Sequence, residues 1–220
     1  MASRNADVRP APRLYLVTPT VEDAAAFTRP LEAALKAGDV AAVLLRVSGA
    51  DERADTNIVK ALAGIVQAAG VALLVDGKPL VAQRGGADGA HLPSYDEFAA
   101  AQQSLQPARI AGVGGLASRD EAMRAAEDGA DYVMFGEPDL NGEVPALDAS
   151  CERVAWWSEV FEVPCVAYAP NAEAVAPLAA AGPEFIALGP FIWDHADGPA
   201  AAIRDAATVI AAATPAMESV

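Results

Sequence analysis

Short apolar runs rich in valine, isoleucine and leucine alternate with longer alanine-rich stretches along most of the chain. The runs lack alternating polar residues, a pattern typical of parallel strands that are covered on both faces. We therefore predict strands at Arg13–Thr18, Ala41–Val47, Val71–Asp76, Ala87–Leu92, Arg109–Val113, Asp131–Gly136, Pro164–Ala169 and Glu184–Gly189. The stretches between them predict helices at Val21–Ala37, Arg53–Ala69, Lys78–Arg84, Tyr95–Ser104, Ser118–Asp128, Leu147–Phe161, Ala172–Ala181 and Gly198–Ala213.

Several glycines lie between a predicted helix and the next strand, where a left-handed residue often ends a helix. Three of them begin a similar phrase, namely Gly86-Ala87-Asp88, Gly129-Ala130-Asp131 and Gly182-Pro183-Glu184. This recurrence indicates a repeated βα unit, and eight such units close as a (β/α)8 TIM barrel. A doubly wound open sheet is the alternative. The length of 220 residues suits one domain, so we expect a single barrel over residues 13–213, with flexible termini at 1–12 and 214–220.

The composition excludes several classes of partner. The formal net charge is −15 at pH 7, whereas nucleic-acid binding needs clustered lysine and arginine, so no nucleic-acid partner is expected. No apolar run reaches the roughly 18 residues of a membrane-spanning helix, so no membrane partner is expected either. The N-terminal segment lacks the apolar core of a secretory signal, and two cysteines are too few for a disulfide scaffold. These features favour a cytoplasmic protein.

The active site of such a barrel lies at the carboxyl-terminal ends of the strands. Arg46 ends a very apolar strand and therefore needs an anionic partner, which is either an anionic ligand or Asp76 on the next strand. The glycine-rich turn at residues 112–115 leads into a predicted helix and can present backbone amides to a phosphate. Together these strand ends predict a site for a small anionic ligand.

Four segments in register resemble the thiamine-phosphate synthases, over roughly residues 13–190. They are Arg13–Thr18, Gly89-Ala90-His91-Leu92 followed by Asp96, Ile110–Val113 and Gly129–Gly136. The resemblance implies a TIM-barrel transferase of thiamine biosynthesis. Such an enzyme joins a hydroxymethylpyrimidine diphosphate to a thiazole phosphate and releases pyrophosphate. It also implies Mg2+ as the cofactor, because a divalent cation neutralises the charge that develops on the leaving group.

The resemblance also implies roles for individual residues. Asp76 and Asp96 match the magnesium ligands, and Arg46 matches an arginine that faces the substrate phosphates. We predict Arg46 and His91 as catalytic residues. Three of these residues also have a purely structural interpretation. Asp76 would be a turn residue, Asp96 an acid in the first turn of a helix, and His91 a residue that forms a hydrogen bond within the barrel rim. The predicted substrate-binding residues are Arg46, Lys78, Gly112, Gly114 and Gly189.

The chain departs from the family pattern at several matched positions. Where the family has glutamine, lysine, asparagine and serine, this chain has Leu44, Ser48, Val75 and Gly114. The loop after the sixth strand lacks the family's lysine and carries Glu137 and Asp139. The Gly-Gly phosphate loop after the seventh strand is replaced by Tyr168-Ala169-Pro170.

These departures leave two alternatives open. One is a catalytically silent or repurposed paralogue that binds a small phosphorylated or heterocyclic ligand. The other is an enzyme of a different phosphate-binding barrel family, such as an aldolase that uses Lys78. A homo-oligomer is a further expectation, since the adjacent Trp156 and Trp157 point different ways, and one of them would reach the barrel surface or a subunit interface.

Overall fold

Eight parallel strands form one closed barrel in the computed structural model, which describes residues 10–48, 50–139 and 141–214. The strands are β1 (Arg13–Val21), β2 (Val40–Val47), β3 (Ala72–Asp76), β4 (Gly89–Leu92), β5 (Ile110–Val113), β6 (Tyr132–Phe135), β7 (Cys165–Ala169) and β8 (Phe185–Leu188). The helices are α1 (Ala24–Leu35), α2 (Glu52–Ala68), α3 (Pro79–Gly85), α4 (Tyr95–Leu105), α5 (Arg119–Glu127), α6 (Leu147–Val160), α7 (Val175–Ala180) and α8 (Pro199–Ala213). Short 3-10 turns at Ala172–Ala174 and Pro190–Ile192 precede α7 and α8.

The predicted (β/α)8 TIM barrel is confirmed. Strand β1 pairs with both β2 and β8, which closes the sheet and excludes the doubly wound open sheet. The predicted flexible termini concern mainly residues 1–9 and 215–220, which lie outside the described residues.

Strand β1 is longer than the sequence predicts, because the prediction ended it before Pro19. The pairing of β1 with β2 shifts register between Val17 and Thr20, and this irregularity accommodates the proline, which has no N–H to donate. The hydroxyl of Thr18 accepts the backbone N–H of Arg46 at 3.0 Å in place of a ladder bond. The irregularity therefore helps to fix the end of β2, where Arg46 lies.

The three repeated glycine phrases share one structure at the amino-terminal rim of the barrel. Each glycine has a positive φ, 78° at Gly86, 93° at Gly129 and 84° at Gly182. The acidic residue two positions later accepts a backbone N–H at the start of the preceding strand. These bonds run from Leu73 to Asp88 at 2.7 Å, from Ala111 to Asp131 at 2.8 Å and from Cys165 to Glu184 at 2.8 Å. We call Asp88, Asp131 and Glu184 the rim carboxylates.

The core has two parts, one between the strands and the helices and one inside the barrel. Trp157 on α6 is fully buried in the outer part, where its ring packs against Phe135 and Phe161 and its Nε1–H donates to the Val163 carbonyl at 2.8 Å. Its neighbour Trp156 is only half-buried and stacks beneath the Arg119 guanidinium, 4.5 Å from the ring centre. The two tryptophans thus face inward and outward respectively.

Two expectations from composition can be compared with the fold. Both cysteines are free thiols, Cys165 within β7 and Cys151 on α6. Within the described ranges, no helix combines the length and the apolar character needed to cross a bilayer.

Candidate active site

A cavity of about 410 Å³ opens at the carboxyl-terminal ends of the strands. It brings together three of the predicted site residues, one from each of three adjacent strands: Arg46 of β2, Asp76 of β3 and His91 of β4. The remaining lining residues are Pro93, Ser94, Gly115, Glu137, Pro138, Asp139 and Asn141. The cavity therefore lies where the chemistry of this fold is found.

Arg46 and Asp76 form an ion pair on the floor of this cavity. The pairing of Leu45 with Val75 across β2 and β3 sets the next two residues side by side, and Arg46 Nε lies 3.0 Å from Asp76 Oδ2. Their side chains are 27% and 28% exposed, so the pair is accessible from the cavity. The ion pair that the sequence suggested as an alternative is thus present, and it borders the space available to a ligand.

Tyr168 on β7 contacts the same arginine. Burial raises the pKa of the Tyr168 phenol, and the positive charge of Arg46 only partly offsets that rise, so the hydroxyl stays protonated. The ring lies inside the barrel with 3% of its surface exposed. Tyr168, which stands in the place of a glycine loop, therefore fills the barrel interior beside Arg46.

A buried chain of hydrogen bonds runs from the barrel interior to the cavity. The hydroxyls of Tyr15 and Tyr132 lie 2.9 Å apart, and the Tyr132 hydroxyl lies 2.9 Å from His91 Nδ1. His91 Nε2 lies 3.1 Å from Glu137 Oε1 and 3.2 Å from Oε2. His91 is 1% exposed, so this chain joins a fully buried imidazole to a carboxylate at the cavity wall.

The charge state of this chain follows from its surroundings. Burial alone would raise the pKa of Glu137, but the charge of His91, its hydrogen bond, Arg46 and the Gly115 N–H outweigh burial and hold that pKa below its ordinary value. Burial alone would lower the pKa of His91, but the charge of Glu137 and the hydrogen bond to it outweigh burial and raise that pKa. An ionised carboxylate only accepts hydrogen bonds, so His91 Nε2 carries a proton and donates a hydrogen bond to Glu137. When the His91 ring is neutral, its Nδ1 accepts a hydrogen bond from the Tyr132 hydroxyl. When the ring is protonated, Nδ1 instead donates a hydrogen bond to that hydroxyl.

The three predicted substrate-binding glycines each leave room for a neighbouring side chain. A Cβ added at Gly112 would overlap the Tyr132 ring, and one at Gly114 would overlap the Glu137 carboxylate. A Cβ at Gly189 would lie 2.9 Å from the Tyr168 hydroxyl oxygen. Glycine at these three positions is therefore required for the packing of Tyr132, Glu137 and Tyr168.

The backbone amides of two of these glycines are already used within the barrel. The N–H of Gly114 donates to the Leu92 carbonyl at 2.9 Å, and the N–H of Gly189 donates to the Ala169 carbonyl at 3.0 Å. The prediction that the turn at residues 112–115 presents amides to a phosphate therefore does not extend to the N–H of Gly114. Any role of Gly114 and Gly189 in binding would arise from the space they leave.

We expect Gly112→Ala to lower the free energy of unfolding by about 3 kcal/mol, because the rigid Tyr132 ring leaves no room for a methyl group. Gly64→Ala is the matched control, since a Cβ there has nothing within 4 Å and the residue lies inside α2. That change should instead raise stability by about 1 kcal/mol, the difference in helix propensity. Urea denaturation of both variants measures the two effects, and a neutral Gly112→Ala would contradict the packing of Tyr132.

Asp96 and Lys78, like the three predicted glycines, are not among the residues that line the cavity. Asp96 is exposed in the first turn of α4, two residues after the N-cap Ser94, whose hydroxyl accepts the Glu97 N–H at 3.2 Å. Lys78 is half-buried immediately before α3. Within the described residues, no group of three or more histidine, cysteine, aspartate or glutamate side chains is arranged to hold a metal ion. Asp96 thus lies in the first turn of a helix, as the alternative to a magnesium ligand predicted.

Comparison with known proteins gives one consistent family. The sequence model of the family described as thiamine monophosphate synthase matches residues 14–192. The thiamine-phosphate synthase of Rhodospirillum centenum is 42% identical over 196 residues, covering 88% of this chain and 95% of its own. That of Hyphomonas neptunium is 39% identical over 209 residues, covering 90% of this chain and 94% of its own.

Solved structures agree at the level of the fold. A thiamine phosphate pyrophosphorylase from Pyrococcus furiosus superposes with a TM-score of 0.73 at 22% identity, covering 92% of this chain and 97% of that one. A 3-hexulose-6-phosphate synthase superposes with a TM-score of 0.67 at 18% identity, covering 89% and 99%. At such identities the likeness shows the barrel alone. The match of the family model over most of the sequence, together with the two close relatives, shows that this chain belongs to the thiamine monophosphate synthase family.

Proposed function

We propose that this chain is a thiamine-phosphate synthase, which joins a hydroxymethylpyrimidine diphosphate to a thiazole phosphate and releases pyrophosphate. The observation that carries the proposal is 42% identity to a thiamine-phosphate synthase over 88% of the chain. The cavity supports it, because it lies at the catalytic end of the barrel and contains a cation that suits a phosphorylated substrate. The phosphorylated and heterocyclic small molecules are thus the proposed ligands.

Arg46 is the proposed contact for the leaving diphosphate. A guanidinium presents several N–H donors in a fixed plane, which matches phosphate oxygens well. Asp76 pairs with that guanidinium at 3.0 Å, and the Tyr168 hydroxyl also interacts with it. The arginine is therefore oriented before the substrate arrives, and little reorganisation is needed as negative charge develops on the leaving group.

Magnesium is the proposed cofactor. Proteins commonly hold this ion by one or two carboxylates, with substrate phosphates and water completing its shell, so a preformed cage is not required. Asp76 fits such a site because its carboxylate is 28% exposed at the cavity. Asp96 is the second proposed ligand, two residues beyond the cavity-lining Ser94. When bound, the ion would neutralise the charge of the departing pyrophosphate.

His91 remains the second proposed catalytic residue, and Lys78, Gly112, Gly114 and Gly189 remain proposed for substrate binding. His91 lines the cavity but is 1% exposed and bonds to Glu137, so we assign it the task of holding that carboxylate. The three glycines would act by leaving space for Tyr132, Glu137 and Tyr168.

The direct test combines the purified protein with Mg2+ and both substrates and follows thiamine phosphate by mass spectrometry. We expect product that accumulates with time and is absent when the thiazole phosphate is omitted. A folded protein that yields no product would overturn the proposal and favour the silent or repurposed paralogue. In that event, borohydride trapping of Lys78 with candidate aldehydes would test the aldolase alternative.

A further inference from the structure

The Gly114 and Glu137 positions form a single structural unit. The carboxylate of Glu137 occupies the space that any side chain at residue 114 would need, since an added Cβ there would overlap Glu137 Oε2 and lie 2.7 Å from His91 Nε2. Both positions are departures from the family pattern, which expects serine at the first and a lysine-bearing loop at the second. Their contact shows that a carboxylate forms this part of the cavity wall and that the absence of a side chain at residue 114 makes room for it.

This carboxylate is held firmly and faces the cavity. Glu137 follows β6, its side chain is 12% exposed, and it lines the cavity beside Pro138. It accepts hydrogen bonds from His91 Nε2 and from the backbone N–H of Gly115. Those donors favour the ionised form, so the cavity wall at this point is a carboxylate, paired with His91, that has oxygen lone pairs left for a ligand.

The cavity therefore has a cation, paired with Asp76, on one side and the Glu137 carboxylate on the other. Arg46 lies on β2, whereas Glu137 lies on the loop after β6, with no ladder pairing between those strands. A fixed carboxylate repels a diphosphate, so Glu137 suits a part of the substrate that donates hydrogen bonds. A 4-aminopyrimidine ring offers such donors in its exocyclic amine, and a carboxylate also stabilises positive charge on that ring.

We propose that Glu137 is a specificity-determining residue that accepts hydrogen bonds from the amino group of the substrate's aminopyrimidine ring. His91 is its positioning residue, because it holds the carboxylate and is itself 1% exposed. This inference rests on the proposed function for the identity of the ring. It adds a contact that orients the diphosphate ester, with the ring toward Glu137 and the diphosphate toward Arg46.

The test measures equilibrium binding of two probes, each representing one part of the substrate, by calorimetry on the full-length protein. The probes are the phosphate-free aminopyrimidine alcohol and inorganic pyrophosphate with Mg2+. We expect Glu137→Gln to weaken binding of the alcohol by about tenfold or more, because a charged acceptor is lost. Pyrophosphate binding should be unchanged or tighter, since a like charge has been removed. Glu152→Gln, an exposed acid on α6, is the matched control and should alter neither.

A second variant keeps the test informative if Glu137→Gln folds poorly. Gly114→Ser retains the carboxylate but displaces it, so it should weaken binding of the alcohol while sparing pyrophosphate. A merely structural role would lower both affinities together, and that result would overturn the inference. Unchanged binding of the alcohol in Glu137→Gln, or a wild-type protein that binds no alcohol, would also overturn it.

The outcome is separable from that of the proposed function. If the wild-type protein forms thiamine phosphate but Glu137→Gln binds the alcohol with unchanged affinity, the inference is wrong and the proposed function is retained. Selective loss of alcohol binding in Glu137→Gln, without thiamine phosphate from the wild type, would uphold the recognition of the ring and sink the proposed function.

Discussion

Replacing Arg46 with alanine is expected to lower kcat/KM for thiamine phosphate formation by about 10²–10³-fold, the usual cost of removing one donor to a developing negative charge. The guanidinium borders the cavity and is 27% exposed there. Its loss also leaves Asp76 without its partner, so the cavity floor would repel the diphosphate. Steady-state kinetics with both substrates measures the effect, and Arg46→Lys should recover only part of the rate because an ammonium cannot bind in the same planar, forked way.

Arg84→Ala is the matched control for the Arg46 change. Arg84 on α3 is also paired with a carboxylate, that of Glu52, but both side chains are largely exposed, 60% and 50%. Such surface pairs contribute about 0–1 kcal/mol, so Arg84→Ala should leave both kinetics and stability nearly unchanged. Equal losses of activity in the two variants would contradict the role of Arg46 in the proposed reaction.

Replacing Trp157 with alanine is expected to lower the free energy of unfolding by about 4 kcal/mol. The indole has 0% exposure, and its removal would open a cavity between α6 and β6 where Phe135 now packs. The change also leaves the Val163 carbonyl without the Nε1–H donor that lies 2.8 Å away. Equilibrium unfolding in urea, followed by far-UV circular dichroism, provides the measurement.

Trp156→Ala tests whether that cost reflects burial or simply the loss of a large ring. Trp156 is the adjacent residue but is half-buried, with Arg119 stacked on its outer face. Its removal forfeits the cation–π contact and part of an apolar surface, so we expect a loss of about 1–2 kcal/mol. If the two variants lost equal stability, the inward and outward assignment of the tryptophans would be wrong.

The strands were predictable because each is a local signal. A buried parallel strand reads as an uninterrupted apolar run, and most predicted ends agree with the structure within two residues, as at β3 and β7. Strand β1 is the exception, since the register shift that carries it past Pro19 to Val21 depends on its partner strand. Local composition does not encode that dependence.

The cavity was predictable where strand order alone places residues together. Arg46 and Asp76 end neighbouring strands, so their pairing follows from the barrel topology. The sequence identifies Glu137 only as an acid in a loop where the family has a lysine. Its bond to His91, across 46 residues of sequence, depends on the path of a loop. A signal was nevertheless available, because the loss of a side chain at Gly114 accompanied the gain of an acid.

Asp96 shows the opposite difficulty. The residue matches a functional position in the resemblance, yet an acid in the first turn of a helix has a local reason to be there. Its exposed place on α4 fits that local reason, and sequence alone does not distinguish the two.

The rim carboxylates stabilise the barrel at a place remote from the residues proposed for the reaction. Asp88, Asp131 and Glu184 join adjacent strands at the end of the barrel opposite the cavity. Substitutions around the cavity therefore leave these links intact, so residues of the cavity can change without loss of the barrel. The same separation makes the chain a suitable scaffold for directed evolution, with libraries confined to the carboxyl-terminal loops and the amino-terminal rim left unaltered.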